Sequence, residues 1–189
     1  AAWAAGLRHF GENYVQEALP KIAAMGDGPT WHFIGALQAN KTRAVAERFH
    51  WAQTLTSTHV AERLSRQRPH YAGDLQICIQ LKPQCDEGPA SERGGVPAGD
   101  VLTLARAVRA LPRLRLRGLM FMPEADLGIA SLKAEFDRAG GIFTTLRQVW
   151  PDVDTLSMGM SGDFAEGIAA GSTLIRIGTG IFGPRATAQ

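Results

Sequence analysis

The alternation of short apolar strands with helical segments is the feature that most constrains how this chain can fold. Six connections, each with a helical pattern of apolar residues, separate seven predicted strands. A helical crossover returns the next strand in the same direction, so this alternation predicts a parallel sheet. The predicted strands are 7–11, 31–37, 51–56, 75–81, 114–122, 154–160 and 173–182.

Two architectures have this order of elements, a closed β/α barrel and an open doubly wound sheet. A (β/α)8 barrel has eight strands and about 250 residues, whereas this chain has 189 residues. Residues 1–5 have the pattern of the last turn of a helix, with Gly6 as its C-terminal stop. We therefore predict one α/β domain over 1–189, a TIM-type barrel with about seven of its eight strands present. The open sheet is the alternative.

Composition narrows the classes of function. Apolar residues make up 45% of the chain and charged residues 20%, as in ordinary globular domains. The net charge is +2 and both signs are dispersed, so no nucleic-acid partner is expected. No apolar run is long enough for a membrane span, and neither the cysteines nor the histidines have metal-ligand spacing. These features predict a cytoplasmic protein without membrane or metal partners, and we expect a monomer.

Several local signals predict where helices begin or break. Asn13 is predicted to cap the first helix, and Pro20 should kink or split it. The pair Gly140-Gly141 predicts a bend or break in the long helix that follows the fifth strand. The turn-rich segment 83–99 is predicted to be the most mobile loop.

Small residues end the last two predicted strands. Residues 156–162 read Leu-Ser-Met-Gly-Met-Ser-Gly, and residues 173–183 contain Gly178-Thr179-Gly180. Backbone N–H groups in such turns bind anions, and barrels place phosphate sites in the loops after their last two strands. Ser161 is predicted to cap the next helix while also suiting a phosphate oxygen. The match of 178–183 to G-x-G-x-x-G lacks the following strand that a dinucleotide site requires.

Arg176 lies inside an otherwise apolar predicted strand. Burying a guanidinium costs several kcal/mol unless the group is paired. Two interpretations follow from the sequence. Arg176 forms a structural ion pair with Asp154 or Asp163, or it is a fixed donor for a ligand.

Four segments together carry a family resemblance. They are Phe-Gly-Glu-Asn-Tyr-Val-Gln-Glu at 10–17, Trp-His-Phe-Ile-Gly at 31–35, Leu-Ser-Met-Gly-Met-Ser at 156–161 and Arg-Ile-Gly-Thr at 176–179. In these segments the chain resembles the pyridoxal phosphate homeostasis protein family. The resemblance implies the barrel of the amino-terminal part of alanine racemases. It also implies a protein that binds pyridoxal 5′-phosphate (PLP) and acts in vitamin B6 and amino-acid or keto-acid homeostasis, without strong catalytic turnover.

The resemblance also implies roles for individual residues. Arg176 would face the pyridine nitrogen, Asn13 and His32 would lie near the ring, and Ser157, Ser161, Gly178 and Thr179 would hold the phosphate. The family's Schiff-base lysine precedes the Phe-Gly-Glu-Asn motif and is absent from this sequence, so no catalytic residue is assigned. The alternatives are a PLP-dependent racemase-like or lyase-like enzyme and a barrel that binds another phosphorylated metabolite.

Overall fold

Seven parallel strands form one sheet whose spatial order is the order of the chain. This computed structural model describes residues 1–84 and 94–184. The strands are β1 (His9–Glu12), β2 (Thr30–Phe33), β3 (Trp51–Leu55), β4 (Leu75–Leu81), β5 (Leu114–Phe121), β6 (Thr155–Met160) and β7 (Leu174–Arg176). The sheet curves into a nearly closed barrel, since the side chains of β3 and β6 meet across its interior. The prediction of a seven-stranded β/α barrel is therefore confirmed.

Helices connect successive strands and cover the outer face of the sheet. They are α1 (Val15–Met25), α2 (Thr42–Arg48), α3 (Thr58–Gln67), α4 (Val101–Arg109), α5 (Ile129–Val149), α6 (Phe164–Ala169) and the short α7 (Thr179–Phe182). The main core fills the layer between strands and helices. The aromatic pairs Phe33–Phe49 and Phe121–Phe136, with centroid separations of 5.4 and 6.0 Å, are examples of this packing. Among the described residues, no helix is long and apolar enough to cross a membrane.

The predicted breaks in two helices are wrong, whereas a kink at Pro20 and a bend at Gly140-Gly141 stay predictions. Helix α5 runs unbroken through Gly140-Gly141, and α1 continues through Pro20. At Gly140 a Cβ atom would lie 2.9 Å from the carbonyl oxygen of Ala170, so glycine here permits close packing of two elements. Pro20 has no N–H to donate to the Gln16 carbonyl, and both residues are exposed.

The predicted cap of α1 is also wrong. Tyr14 occupies the N-cap position, and its side chain makes no capping bond. Ser57, by contrast, caps α3 by accepting a hydrogen bond from the Val60 N–H at 3.3 Å. The prediction of a mobile loop over 83–99 falls largely on residues 85–93, which lie outside the described residues.

Candidate functional site

The carboxyl ends of β6 and β7 lie side by side at one rim of the barrel. Met160 pairs with Arg176 in the sheet, so the turns that follow them are neighbours. The Ser161 hydroxyl accepts hydrogen bonds from the backbone N–H groups of Gly178 and Gly180, each at 3.2 Å. The structure thus brings together Ser161, Gly178 and Thr179, three of the residues that the sequence assigned to a phosphate site.

Two local predictions at this rim are wrong. Strand β7 ends at Arg176, and residues 179–182 form α7 rather than the end of a strand. Ser161 does not cap α6, because the N-cap position is occupied by Asp163. The Ser161 hydroxyl is instead engaged by the turn after β7, and the Asp163 carboxylate accepts from the Met160 N–H at 2.5 Å.

The turn after β7 is open to a ligand. Gly178 and Thr179 are exposed, and Ser161 is half-buried beside them. A Cβ at Gly178 would meet nothing within 4 Å, whereas one at Gly180 would lie 3.2 Å from the Ile177 side chain. The Thr179 hydroxyl has no hydrogen-bond partner within 1–84 or 94–184. Because the Gly178 and Gly180 N–H groups already donate to Ser161, the donors that this turn offers to a phosphate oxygen are the Thr179 and Ser161 hydroxyls.

Arg176 is half-buried and is held by oxygen atoms that carry no charge. Its Nη1 donates to the backbone oxygen and the hydroxyl of Ser157, both at 2.8 Å, and its Nη2 donates to the Phe121 carbonyl at 3.0 Å. A guanidinium has five N–H donors. These three bonds therefore leave the Nε–H and one Nη2–H without a partner among the described residues.

The ion-pair interpretation of Arg176 is wrong for the described part of the chain. Asp154 pairs with Arg117 at 2.5 Å, and no described carboxylate lies within 4 Å of Arg176. Burial lowers the pKa of Arg176 to about 10, and the charge of Asp163 acts in the opposite direction. The guanidinium remains charged at neutral pH, with two donors available to an acceptor outside the protein.

Ser157 and His32 lie in the barrel interior behind this rim. Ser157 is fully buried, and its hydroxyl donates to Gln53 Oε1 at 2.7 Å. His32 is also buried, stacks on Trp51 and hydrogen-bonds with Gln53 and His9. Burial, followed by the charges of His9 and His50, lowers the pKa of His32 to about 3. His32 is therefore neutral at physiological pH.

Asn13 lies in the turn after β1, on the same rim of the barrel. Its side chain is exposed, and its backbone closely approaches Gly35. A Cβ at position 35 would lie 1.9 Å from the Asn13 carbonyl oxygen, so only glycine permits this approach. The close contact sets the position of the turn that carries Asn13.

Sequence reasoning missed Gln53 and the Phe121 carbonyl. Gln53 is 1% exposed inside the otherwise buried strand β3. A polar residue in an otherwise buried strand could have indicated Gln53, because buried amides need hydrogen-bond partners. The carbonyl of Phe121 carries no such signal, since every residue has one. No group of three or more potential metal ligands occurs within the described ranges.

Comparison with known proteins agrees with this architecture. The family model for the alanine racemase N-terminal domain matches residues 1–186. The solved structure of PipY from Synechococcus elongatus with PLP bound superposes with a TM-score of 0.85. It is 38% identical, and the match covers 96% of this chain and 84% of that one. The D-threonine aldolase of Filomicrobium marinum, at 20% identity and a TM-score of 0.72, shares the fold, with 94% and 49% of the two chains covered. The chain is thus an alanine racemase N-terminal-type barrel.

Curated relatives narrow this class. The pyridoxal phosphate homeostasis protein of Pseudomonas aeruginosa is 48% identical over 185 residues, which are 97% of this chain and 77% of the relative. The protein of that name from Pasteurella multocida is 45% identical over 189 residues, covering 97% and 79%. The chain belongs to the pyridoxal phosphate homeostasis protein family.

Proposed function

We propose that this protein binds pyridoxal 5′-phosphate and acts in vitamin B6 and amino-acid or keto-acid homeostasis, without strong catalytic turnover. The observation that carries the proposal is Arg176, a charged guanidinium with spare donors and no carboxylate partner among the described residues. It stands next to the turn that carries the Thr179 hydroxyl and is bonded to the Ser161 hydroxyl. The names of the relatives and the PLP-bound state of PipY support the same ligand.

The residues present fit the parts of PLP. Ser161, Gly178 and Thr179 would hold the phosphate, Arg176 would face the ring nitrogen, and Asn13 would lie near the ring. In place of the phosphate role that the family resemblance implies for Ser157, we assign this residue to the support of Arg176, since its buried hydroxyl and its carbonyl both accept from the guanidinium. His32 would lie near the ring, where it is held by its hydrogen bond to the buried Gln53 side chain.

The charge of Arg176 suits a carrier better than a fast enzyme. A guanidinium that stays protonated requires the ring nitrogen to be an unprotonated acceptor. PLP supplies an aldehyde that reacts with amines, and its ring is a poorer electron sink when that nitrogen is unprotonated. The relatives carry the name of homeostasis proteins, not of enzymes, which agrees with low turnover.

Calorimetric titration tests this proposal. We expect PLP to bind the chain at least about tenfold more tightly than inorganic phosphate or glucose 6-phosphate, because a ring contact adds to the phosphate contacts. Arg176→Gln should remove most of this preference while leaving phosphate binding in place. Arg115→Gln, an exposed arginine on β5, is the matched control.

Equal affinities for the three ligands would contradict the proposal and favour a barrel for another phosphorylated metabolite. Exchange of the α-proton of an amino acid at a high rate in the presence of PLP would favour the racemase-like alternative instead.

A further inference from the structure

A line of side-chain hydrogen bonds crosses the barrel interior from Arg176 to His9. It passes through Ser157, Gln53 and His32, and the four successive donor–acceptor distances are 2.8, 2.7, 2.8 and 2.9 Å. The five side chains come from β7, β6, β3, β2 and β1. The line therefore joins Arg176 on the edge strand β7 to His9 on the other edge strand, β1.

The directions of these bonds follow from Arg176 and from the Gln53 carboxamide together. Arginine can only donate, so the Ser157 hydroxyl accepts from Arg176, and its own O–H donates to Gln53 Oε1. The Gln53 amide nitrogen then donates to His32 Nδ1. His32 must carry its proton on Nε2, and it donates to His9 Nδ1. The burial of His32, which keeps the ring neutral, agrees with a single ring proton.

We infer that Gln53 is a positioning residue for the ligand site. Its carboxamide oxygen accepts a hydrogen bond from the Ser157 hydroxyl, so the lone pairs of that hydroxyl face Arg176. Arg176 is thereby held with its spare N–H groups free for a ligand acceptor. The inference rests on the proposed function for the nature of the ligand, an aromatic ring with an unprotonated nitrogen. The hydrogen-bond line itself stands on the geometry alone.

A second inward-facing glutamine provides a matched control. The Gln76 side chain on β4 accepts a hydrogen bond from Arg117 Nη1 at 2.9 Å. Like Gln53, it therefore helps to hold an arginine, although Gln53 does so through Ser157. Arg117 pairs with Asp154 at the start of β6, away from the carboxyl ends of the strands. Replacement of Gln76 therefore removes the same chemical group from the barrel without touching the line.

The test compares Gln53→Glu, Gln53→Leu and Gln76→Leu with the unaltered chain. Nitrogen-15 NMR of the histidine rings, recorded without ligand, should show His32 protonated on Nε2 in the unaltered chain. In Gln53→Glu both carboxylate oxygens accept, so His32 should gain a proton on Nδ1. Affinity for PLP should fall about tenfold in Gln53→Leu, because the Ser157 hydroxyl loses the acceptor that orients it toward Arg176, and tenfold is near the upper range for one neutral hydrogen bond. Affinity for inorganic phosphate should stay unchanged.

An unchanged His32 ring spectrum in Gln53→Glu would overturn the inference, even if Gln53→Leu fails to fold. A loss of PLP affinity no larger than that of Gln76→Leu would overturn it as well. Failure of the unaltered chain to bind PLP would instead overturn the proposed function and the ligand role of Gln53. The histidine spectra would then still report whether the line of bonds exists.

Discussion

Acid should destabilise this protein through His32, and the structure sets the size of the effect. Burial lowers the pKa of this side chain from 6.5 to about 3. Between these values the unfolded chain binds a proton that the folded chain excludes, so stability is lost as the pH falls below about 6.5. One pKa unit corresponds to about 1.36 kcal/mol. At pH 5 the loss from His32 is therefore about 2 kcal/mol, and it grows until about pH 3.

Urea unfolding at pH 7.5 and pH 5.0 measures this loss. His32→Asn removes the titrating ring while keeping an oxygen that accepts from the Gln53 amide. We expect the free energy of unfolding of this variant to fall by about 2 kcal/mol less than that of the unaltered chain. His59→Asn, which changes an exposed histidine on α3, should behave as the unaltered chain does. Equal losses in the unaltered chain and His32→Asn would refute a neutral, buried His32.

Two further predictions concern stability and assembly. Arg68, which is 5% exposed, donates to the carbonyls of Ala46, Phe49, Ala72 and Gly73 at 2.7–2.8 Å. Arg68→Met should lower the free energy of unfolding by about 3–5 kcal/mol, because these carbonyls lose their donors. In the same urea titration, Arg66→Met, which changes an exposed arginine, should lower it by less than about 0.5 kcal/mol. We also propose that the protein is a cytoplasmic monomer, and light scattering should give a mass near 20.3 kDa. A mass of twice that value at micromolar concentration would contradict the monomer.

Much of the candidate site was predictable, because short stretches of sequence mark the two strand ends that form it. The Gly-rich end of 173–183 and the Ser-rich end of 156–162 mark two strand ends. Parallel strands joined by a helix bring their carboxyl ends to one rim. The sequence therefore predicted that Ser161 and Thr179 would lie side by side, and Ser161 does bond to Gly178 and Gly180, the neighbours of Thr179 on either side. The G-x-G-x-x-G match was misleading in isolation, since here it opens a single helical turn.

The partners of the polar groups were not predictable in the same way. Ser161 had a plausible local role as a helix cap. Its hydroxyl instead accepts from the N–H groups of Gly178 and Gly180, which are 17 and 19 residues away in sequence. Arg176 had plausible carboxylate partners, yet the sheet register brings it to Ser157 and to the Phe121 carbonyl, 55 residues away. Asp154 is taken by Arg117 on the neighbouring strand.

The amino-acid pattern alone therefore determines the alternation of parallel strands and helices and the rim where small residues gather, because strand and helix periodicity are local properties of the chain. It leaves open whether the sheet closes into a barrel. Tertiary structure decides which hydroxyl, amide and guanidinium meet inside that barrel. Ser157 and Gln53 are 104 residues apart in sequence and 2.7 Å apart in space. Such a contact depends on how strands close around a common interior, and no short stretch of sequence encodes it.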